Sequence, residues 1–296
     1  MYFPGGCNIG TRPINLHLKG FESLGAKVIK ENSKYIITAD ELKGADIYLD
    51  FASVGATINI MFAASMAKGI TTINNAAREA EISNIAKLLN NMGAKIKGAG
   101  TEKITIEGVP KLHSAEVKVI PDRIEAGTYI IMGALIGDNL EIDGMVPEHN
   151  ILLLNKLQEM GVSFEIKNHK IILNKIDRLL PTNVRTSEYP GFPTDLGQPI
   201  SVLLTQAEGT SLFEETIWEN RMGHVKYLNM MGANIAESGM RAKITGPTKL
   251  HGTEISATDL RAGAALVTAG LIADGTTIIN NADYILRGYE RIINKL

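Results

Sequence analysis

An internal repeat of about 70 residues constrains this chain more than any other feature of its sequence. One set of glycines follows an apolar helix-like segment in a Leu/Met-Gly-Ala/Val context, at Gly25, Gly93, Gly161 and Gly232. A second set lies between an apolar segment and a strand-like one, at Gly69, Gly137, Gly209 and Gly275. Two independent markers with one period predict a supersecondary block that recurs. Because glycine readily takes the left-handed backbone that ends a helix, we expect each marker to stop one.

The order of segments within a repeat predicts a βαβαββ unit. The first helices, around residues 56–67, 128–136 and 262–273, are apolar nearly all the way round, which is typical of buried helices. Strand segments such as Lys103–Glu107 and 242–245 instead alternate polar and apolar residues, which indicates one solvated face. The sequence therefore predicts an inside-out α/β barrel, with helices in the middle and sheets around them.

The phase of the repeat predicts three complete units, at about 49–117, 118–184 and 185–252, with half units on either side. By the same arithmetic both ends of the chain fall within a unit. Alternatively, the two half units close on each other and form a fourth. A length of 296 residues favours two domains over one.

Charge and composition exclude several function classes. Thirty basic and 32 acidic side chains give a net charge of −2, so nothing favours binding to nucleic acid or an anionic membrane. No apolar run reaches the roughly 18 residues of a membrane span, and the first residues lack signal-peptide features. With a single cysteine, no internal disulfide forms. We expect a cytoplasmic protein whose anionic ligands are bound by local arginines.

The single cysteine, Cys7, lies in the glycine-rich string PGGCNIGTRP. Its glycines permit unusual backbone conformations, so the thiol is expected on a mobile, exposed loop, where Arg12 lowers its pKa. The alternative is a small buried core residue, the common fate of a lone cysteine.

Three aspartates precede the first helix of successive repeats, at Asp122, Asp195 and Asp259. Aspartate at a helix start caps free N–H groups, and capping is the default interpretation of each. Asp195 differs because it follows the loop Pro190–Thr194, which contains two prolines and can hold a carboxylate toward a cleft. It is the best candidate for a general base.

Arginines recur beside the repeat junctions, at Arg12, Arg123, Arg221, Arg261 and Arg287. They are either solvated or converge on one cleft, where guanidinium groups would bind phosphate or carboxylate. The helix start at residues 53–56 offers further N–H groups to a phosphate, and Glu219 and Asn220 either line the same cleft or form a turn. His17 and His224 lack metal-ligand spacing, so we expect no metal.

Several motifs together resemble the UDP-N-acetylglucosamine 1-carboxyvinyltransferase family, the enolpyruvyl transferases of peptidoglycan synthesis. They are PGGCNIGTRP at 4–13, SVGAT at 53–57, NAARE at 75–79, IPDRIEAGT at 120–128, PGFPTDL at 190–196, ENR at 219–221, ATDLRAGA at 257–264 and RGYERI at 287–292. The resemblance covers essentially the whole chain in family order. It implies two inside-out domains, a partial first domain at 1–120 that carries the Cys7 loop and a C-terminally truncated second domain at 121–296.

The resemblance also implies the activity and the site. The enolpyruvyl group of phosphoenolpyruvate passes to the 3′-hydroxyl of UDP-N-acetylglucosamine with release of phosphate and without a cofactor. Cys7 matches a lid-loop proton donor that is the target of fosfomycin, and Asp195 matches the base. Arg12, Arg261 and Arg287 match phosphoenolpyruvate-binding positions. The UDP-sugar positions are Arg12, Pro13, Ile14, Asn15, Leu16, Phe51, Ala52, Ser53, Val54, Asp195 and Ile217.

The chain also departs from the family. Asn15, Phe51 and Leu286 replace residues that are usually more polar, and the family's N-terminal section and extreme C-terminus have no counterpart. We therefore expect weak or no activity from this chain alone. Two alternatives remain open, a non-catalytic UDP-sugar-binding remnant and one half of a split enzyme that needs a complementary N-terminal chain. A third, a related transferase acting on shikimate phosphate, is disfavoured by the Cys7 loop.

Overall fold

A computed structural model of the chain describes residue 10 and residues 14–32, 34–174 and 176–296. The chain divides into two compact units. Unit 1 contains the described residues from 14 to 120, and unit 2 contains Gly10 and the described residues from 121 to 296.

Unit 1 begins with a helix and a β-hairpin, which a mixed α/β block follows. Its elements are α1 (Asn15–Ser23), β1 (Lys27–Glu31), β2 (Lys34–Thr38), β3 (Asp46–Tyr48), α2 (Val54–Ala64), β4 (Ile70–Asn74), α3 (Ala80–Asn91), β5 (Lys95–Lys97) and β6 (Lys103–Glu107). Strands β1 and β2 pair antiparallel. The other strands form a sheet in the order β3-β4-β6-β5, in which β3 and β4 run parallel.

Unit 2 contains three further helix-and-strand blocks. Its elements are α4 (Arg123–Ile136), β7 (Leu140–Asp143), α5 (Ile151–Glu159), β8 (Phe164–Lys167), β9 (Lys170–Leu173), β10 (Val184–Arg185), α6 (Gly197–Leu204), β11 (Gly209–Glu214), α7 (Gly223–Met230), β12 (Asn234–Ser238), β13 (Arg241–Gly246), β14 (Glu254–Ser256), α8 (Leu260–Ile272), β15 (Ile278–Asn280), α9 (Asp283–Leu286) and α10 (Ile292–Lys295). Short 3₁₀ turns lie at Pro147–Asn150 and Thr194–Leu196. The sheets run β7-β9-β8, β10-β11-β13-β12 and β14-β15.

Three apolar helices form the centre of unit 2. Helices α4, α6 and α8 contact one another, and every residue of α6 is buried. Strand β13 alternates buried and exposed residues along most of its length, so its sheet keeps one face in solvent. Aliphatic side chains of the helices and the inner sheet faces form one core, while unit 1 has its own core around α2 and β4. These elements confirm the mixed α/β class.

The repeat between residues 118 and 184 differs from the prediction. It opens directly with α4, because residues 108–122 form no regular element, and its sheet consists of β7, β8 and β9 in the described residues. The prediction of a complete βαβαββ unit here was wrong. Pro110 and Pro121 interrupt this segment, and proline cannot donate a hydrogen bond to a strand neighbour.

The glycines of the first set end helices as predicted, but Gly69, Gly209 and Gly275 of the second set have positive φ and lie three to five residues beyond the ends of α2, α6 and α8. Gly25, Gly93, Gly161 and Gly232 all have positive φ just after a helix. In the second set, however, Gly137 has a φ of −69°. The left-handed residue of that turn is Asn139, with a φ of 59°. Asparagine tolerates this conformation, so the left-handed residue lies two positions after the predicted glycine.

Among the described residues, no helix is both long enough and apolar enough to span a bilayer.

Candidate active site

The candidate site in unit 2 is built around the carboxylate of Asp195. Asp195 lies in the 3₁₀ turn Thr194–Leu196, directly before α6. Its side chain is 33% exposed, whereas those of its partners Arg221 and Arg261 are only 3% and 12% exposed. The carboxylate of Asp195 is thus partly exposed, and two buried guanidinium groups bind it.

The two arginines contact different oxygens of Asp195. Arg221 Nη2 donates to Oδ1. Arg261 donates to Oδ2 from both Nε and Nη2, at 3.1 and 2.9 Å. Charge-assisted hydrogen bonds to both oxygens fix the plane of the carboxylate.

Two opposing effects set the pKa of Asp195. Burial alone raises it, but the charges of Arg261 and Arg221 outweigh burial and bring the pKa below its usual value. Arg123, which also lies 5.4 Å from the ring centre of Tyr189, adds a smaller contribution of the same sign. Asp195 is therefore ionised at neutral pH.

The three aspartates at helix starts separate into two roles. Asp122 Oδ1 accepts from the amides of Ile124 and Glu125, and Asp259 Oδ1 accepts from those of Arg261 and Ala262. Both are helix caps, which confirms the default interpretation for them. Asp195 makes no side-chain cap and binds arginines instead.

Tyr289 holds Arg261 from the side opposite Asp195. This fully buried tyrosine accepts a hydrogen bond from Arg261 Nη1 at 3.2 Å and shares one of 2.9 Å with Thr128 Oγ1. Burial raises the pKa of Tyr289, so its hydroxyl stays protonated and can bond to both neighbours. The chain Thr128–Tyr289–Arg261–Asp195 thus links α4 to the turn before α6.

A buried polar layer lies behind Arg221. Gln198 Nε2 donates to the main-chain oxygen of Arg221 at 2.8 Å and lies 3.5 Å from Asp259 Oδ2. His224 is fully buried beside it, and burial lowers its pKa to about 4, so the ring is neutral. Gln198, Glu215 and Tyr289 were not singled out from the sequence, because each acts through contacts with residues distant in the chain.

The arginines predicted from the sequence differ in whether they approach Asp195. Arg221 and Arg261 converge on Asp195, and Arg123 lies close enough to influence it, so for these three the convergent alternative is favoured over the solvated one. Arg287 is exposed at the end of α9, and its side chain makes no ion pair in the part of the chain that the structure describes. Cys7, Arg12 and Pro13 lie outside the described residues.

The remaining predicted sugar-binding residues lie at two helix starts of unit 1 and in one segment of unit 2. Ile14 and Asn15 lie at the start of α1, whereas Leu16 is buried in the core of unit 1 with only 1% of its surface exposed. Phe51 is 45% exposed and precedes Ser53, whose Oγ accepts from the amide of Ala56 and caps α2. The Ala56 amide is therefore not free for a phosphate. In unit 2, Ile217 is half-buried and follows β11.

The family model of EPSP synthase (3-phosphoshikimate 1-carboxyvinyltransferase) matches residues 1–296. UDP-N-acetylglucosamine 1-carboxyvinyltransferase 2 of Listeria monocytogenes is 52% identical over 293 residues, which are 99% of this chain and 69% of that protein. UDP-N-acetylglucosamine 1-carboxyvinyltransferase of Halothermothrix orenii is 56% identical over 295 residues, or 99% and 70%.

Solved structures show the same fold. The enolpyruvyl transferase NikO from Streptomyces tendae superimposes with a TM-score of 0.88 at 26% identity, over 97% of this chain and 71% of that one. EPSP synthase from Acinetobacter baumannii superimposes with a TM-score of 0.70 at 20% identity, over 97% of this chain and 70% of that one. At this identity the similarity shows the fold alone. This chain belongs to the EPSP synthase family and, within it, to the UDP-N-acetylglucosamine 1-carboxyvinyltransferases.

Proposed function

We propose that this chain transfers the enolpyruvyl group of phosphoenolpyruvate to the 3′-hydroxyl of UDP-N-acetylglucosamine and releases phosphate. The observation that carries the proposal is the carboxylate of Asp195 between Arg221 and Arg261, in a chain more than half identical to transferases of that name. Such a group combines a base with the cations that an enol phosphate needs.

The arginines and the base act in sequence. Phosphoenolpyruvate brings a phosphate and a carboxylate, and these anions compete with Asp195 for Arg261. Loss of an arginine contact raises the pKa of Asp195, because burial then dominates. Asp195 takes the proton of the 3′-hydroxyl as the oxygen attacks C2 of phosphoenolpyruvate. Arg261, with Arg12 and Arg287, stabilises the charge on the phosphate.

The proton balance requires an acid as well as a base. As the sugar oxygen bonds to C2, the C2=C3 double bond becomes a single bond and C3 takes a proton, which we assign to the thiol of Cys7. C2 then carries both the sugar oxygen and the phosphate. The bond from C2 to the phosphate oxygen breaks, C3 loses a proton to the Cys7 thiolate and the C2=C3 double bond of the product forms, while the proton held by Asp195 leaves with the phosphate. Gly10, three residues beyond Cys7 in the sequence, lies against the side chains of Trp218 and Glu219, next to Ile217.

The contacts to the UDP-sugar are assigned from the resemblance to the family. In the first part of the chain they are Arg12, Pro13, Ile14, Asn15 and Leu16, and Phe51, Ala52, Ser53 and Val54 before α2, where Phe51 is 45% exposed. Asp195 and Ile217 provide contacts in unit 2. We interpret residues 1–120 as a partial first enolpyruvyl transferase domain and residues 121–296 as a C-terminally truncated second one, both of the inside-out α/β type, although Gly10 packs with unit 2.

Calorimetry and phosphate release test the proposal together. We expect saturable binding of UDP-N-acetylglucosamine, and phosphate release that depends on both substrates and falls at least about 100-fold in Asp195→Asn. Mass spectrometry after fosfomycin treatment with the UDP-sugar is expected to find an adduct on Cys7. Binding of the UDP-sugar without turnover would leave a non-catalytic binding protein and one half of a split enzyme, and addition of the family's N-terminal section as a separate chain would restore turnover only in the split enzyme. Binding of shikimate 3-phosphate instead would contradict the proposed substrate.

A further inference from the structure

Glu215 is a buried carboxylate that takes no part in the proposed reaction. It follows β11 directly, and only 1% of its surface is exposed. No lysine or arginine of the described residues forms an ion pair with it. Burying a carboxylate is costly unless hydrogen bonds compensate, so its partners show what it stabilises.

Four donors from three segments converge on the two oxygens of Glu215. Oε1 accepts from Thr186 Oγ1 at 3.0 Å and from the amides of Ile217 and Trp218 at 2.7 and 3.2 Å. Oε2 accepts from Thr194 Oγ1 at 2.8 Å. An ionised carboxylate accepts about four hydrogen bonds, so this side chain is saturated.

Each of these partners is adjacent to the candidate site. Thr194 precedes Asp195 in the same 3₁₀ turn. Residues 216–218 contain Ile217, to which a sugar contact is assigned. Thr186 ties this segment down a second time, since its Oγ1 accepts from the amide of Thr216 at 2.8 Å and its main-chain oxygen accepts from Thr216 Oγ1 at 2.7 Å.

We propose that Glu215 is a positioning residue that joins the turn of Asp195 to the 216–218 segment and holds both in one geometry before ligand binds. Glu215 does not itself contact the reacting groups. Its oxygens accept hydrogen bonds that Thr194 and the amides of Ile217 and Trp218 would otherwise make to water. Its importance for sugar binding rests on the proposed function, whereas its hold on residues 216–218 does not.

Trp218 is the single tryptophan of the chain, so its fluorescence reports on this segment without any ligand. In Glu215→Ala we expect the acrylamide quenching constant of Trp218 to rise about twofold, because two amide anchors are lost. Glu215→Gln keeps an oxygen for both amides and can turn its NH₂ group toward Thr194, so quenching is expected to stay near that of the wild-type protein. Quenching that is unchanged in Glu215→Ala would overturn the proposal.

A second pair of variants serves if Glu215→Ala does not fold. Thr186→Val removes the hydroxyl between Glu215 and the Thr216 amide at nearly constant volume, while Thr186→Ser keeps it. Only the valine variant is expected to increase quenching of Trp218, and equal quenching in both would contradict the proposal.

Calorimetry with UDP-N-acetylglucosamine separates the proposal from the proposed function. Thr194→Val cuts only the link to the Asp195 turn, and we expect its Kd to rise about tenfold, while Thr194→Ser stays near the wild-type value. Equal Kd values in these two variants would contradict the link to Asp195. If the wild-type protein does not bind the sugar nucleotide, the proposed function fails, and the quenching data alone decide the role of Glu215.

Discussion

Arg261 donates two hydrogen bonds to a single oxygen of Asp195, from Nε at 3.1 Å and from Nη2 at 2.9 Å, while Nη1 reaches Tyr289. The guanidinium thus fills three positions that are fixed relative to each other by its planar geometry. A point charge on a flexible stem cannot fill them together.

The first prediction concerns that geometry. Arg261→Lys keeps the charge but loses at least one bond to Asp195 or Tyr289, so unit 2 should lose about 2 kcal/mol of unfolding free energy. Urea unfolding followed by Trp218 fluorescence measures this. Arg241→Lys is the matched control, because Arg241 pairs with Glu214 on the surface, and it should unfold like the wild-type protein. Equal effects of the two substitutions would show that the geometry around Asp195 does not matter for stability.

The second prediction is a pH dependence caused by Asp195. Its pKa is lower in the folded than in the unfolded protein, where aspartate has about 3.9. Its stabilising contribution is therefore complete above that value and is lost as pH falls through the lower, folded pKa. The stability difference between the wild-type protein and Asp195→Asn should be constant from about pH 5 to 8 and narrow below about pH 4. The exposed Asp138→Asn should show no such narrowing.

The sequence was sufficient to separate Asp195 from the two other aspartates. All three precede a helix, but the prolines at 190 and 193 fix the chain before Asp195 in a different path. The carboxylate then lies beside Arg221 and Arg261, which the sequence already placed at junctions between repeats. The local sequence and the position within the repeat could therefore both be recognised without the structure.

Glu215 and Tyr289 could not be found in the same way. Tyr289 meets Thr128 across 161 residues of chain, and Glu215 meets Thr186 across 29. Neither spacing follows from a local pattern. A single glutamate is usually exposed, and a single tyrosine usually packs its ring against apolar neighbours, so neither letter indicates a buried polar contact. The repeat period did not show that the repeat at 118–184 lacks its first strand, although Pro110 and Pro121 make this segment a poor strand.

A third prediction tests the link between Tyr289 and Thr128. Tyr289→Phe removes the hydroxyl that bonds to Thr128 and Arg261, and about 1 to 2 kcal/mol of unfolding free energy should be lost. Thr128→Val should cost less when Tyr289 is already phenylalanine, because their shared hydrogen bond is gone. The double-mutant cycle measures this coupling. Tyr284→Phe, on the more exposed face of α9, is the control, and strictly additive effects of the pair would contradict the hydrogen bond.

A fourth prediction compares two glycines of α8. A methyl group at Gly263 would collide with the side chain of Ile285, whereas one at Gly270 would make ordinary contacts of 3.5 Å with Thr277. Gly263→Ala should therefore destabilise unit 2 by about 1 to 3 kcal/mol through overpacking. Gly270→Ala should stabilise it by about 0.5 to 1 kcal/mol, because alanine restricts the unfolded chain and favours helix. Effects of the same sign in both variants would contradict the packing around α8.

The last prediction concerns His224, the neutral histidine behind Arg221. Burial lowers its pKa from 6.5 to about 4 in the folded protein, and its ring nitrogens make no hydrogen bond of normal geometry within the described residues. The unfolded state therefore binds a proton first as pH falls from about 6.5, and stability decreases until about pH 4, where the folded state is protonated as well. The total loss is up to about 3 kcal/mol.

The test of His224 is the pH profile of urea unfolding followed by Trp218. His224→Phe keeps a buried ring but cannot be protonated, so the decline between pH 6.5 and 4 should become shallower. The exposed His251→Gln should leave the profile as in the wild-type protein. Because Asp195 contributes only below the unfolded pKa of aspartate, the two groups act in different windows and the profile separates them. A wild-type profile that is flat from pH 6.5 to 4 would mean that a water or an ion reaches His224 and removes the cost of its charge.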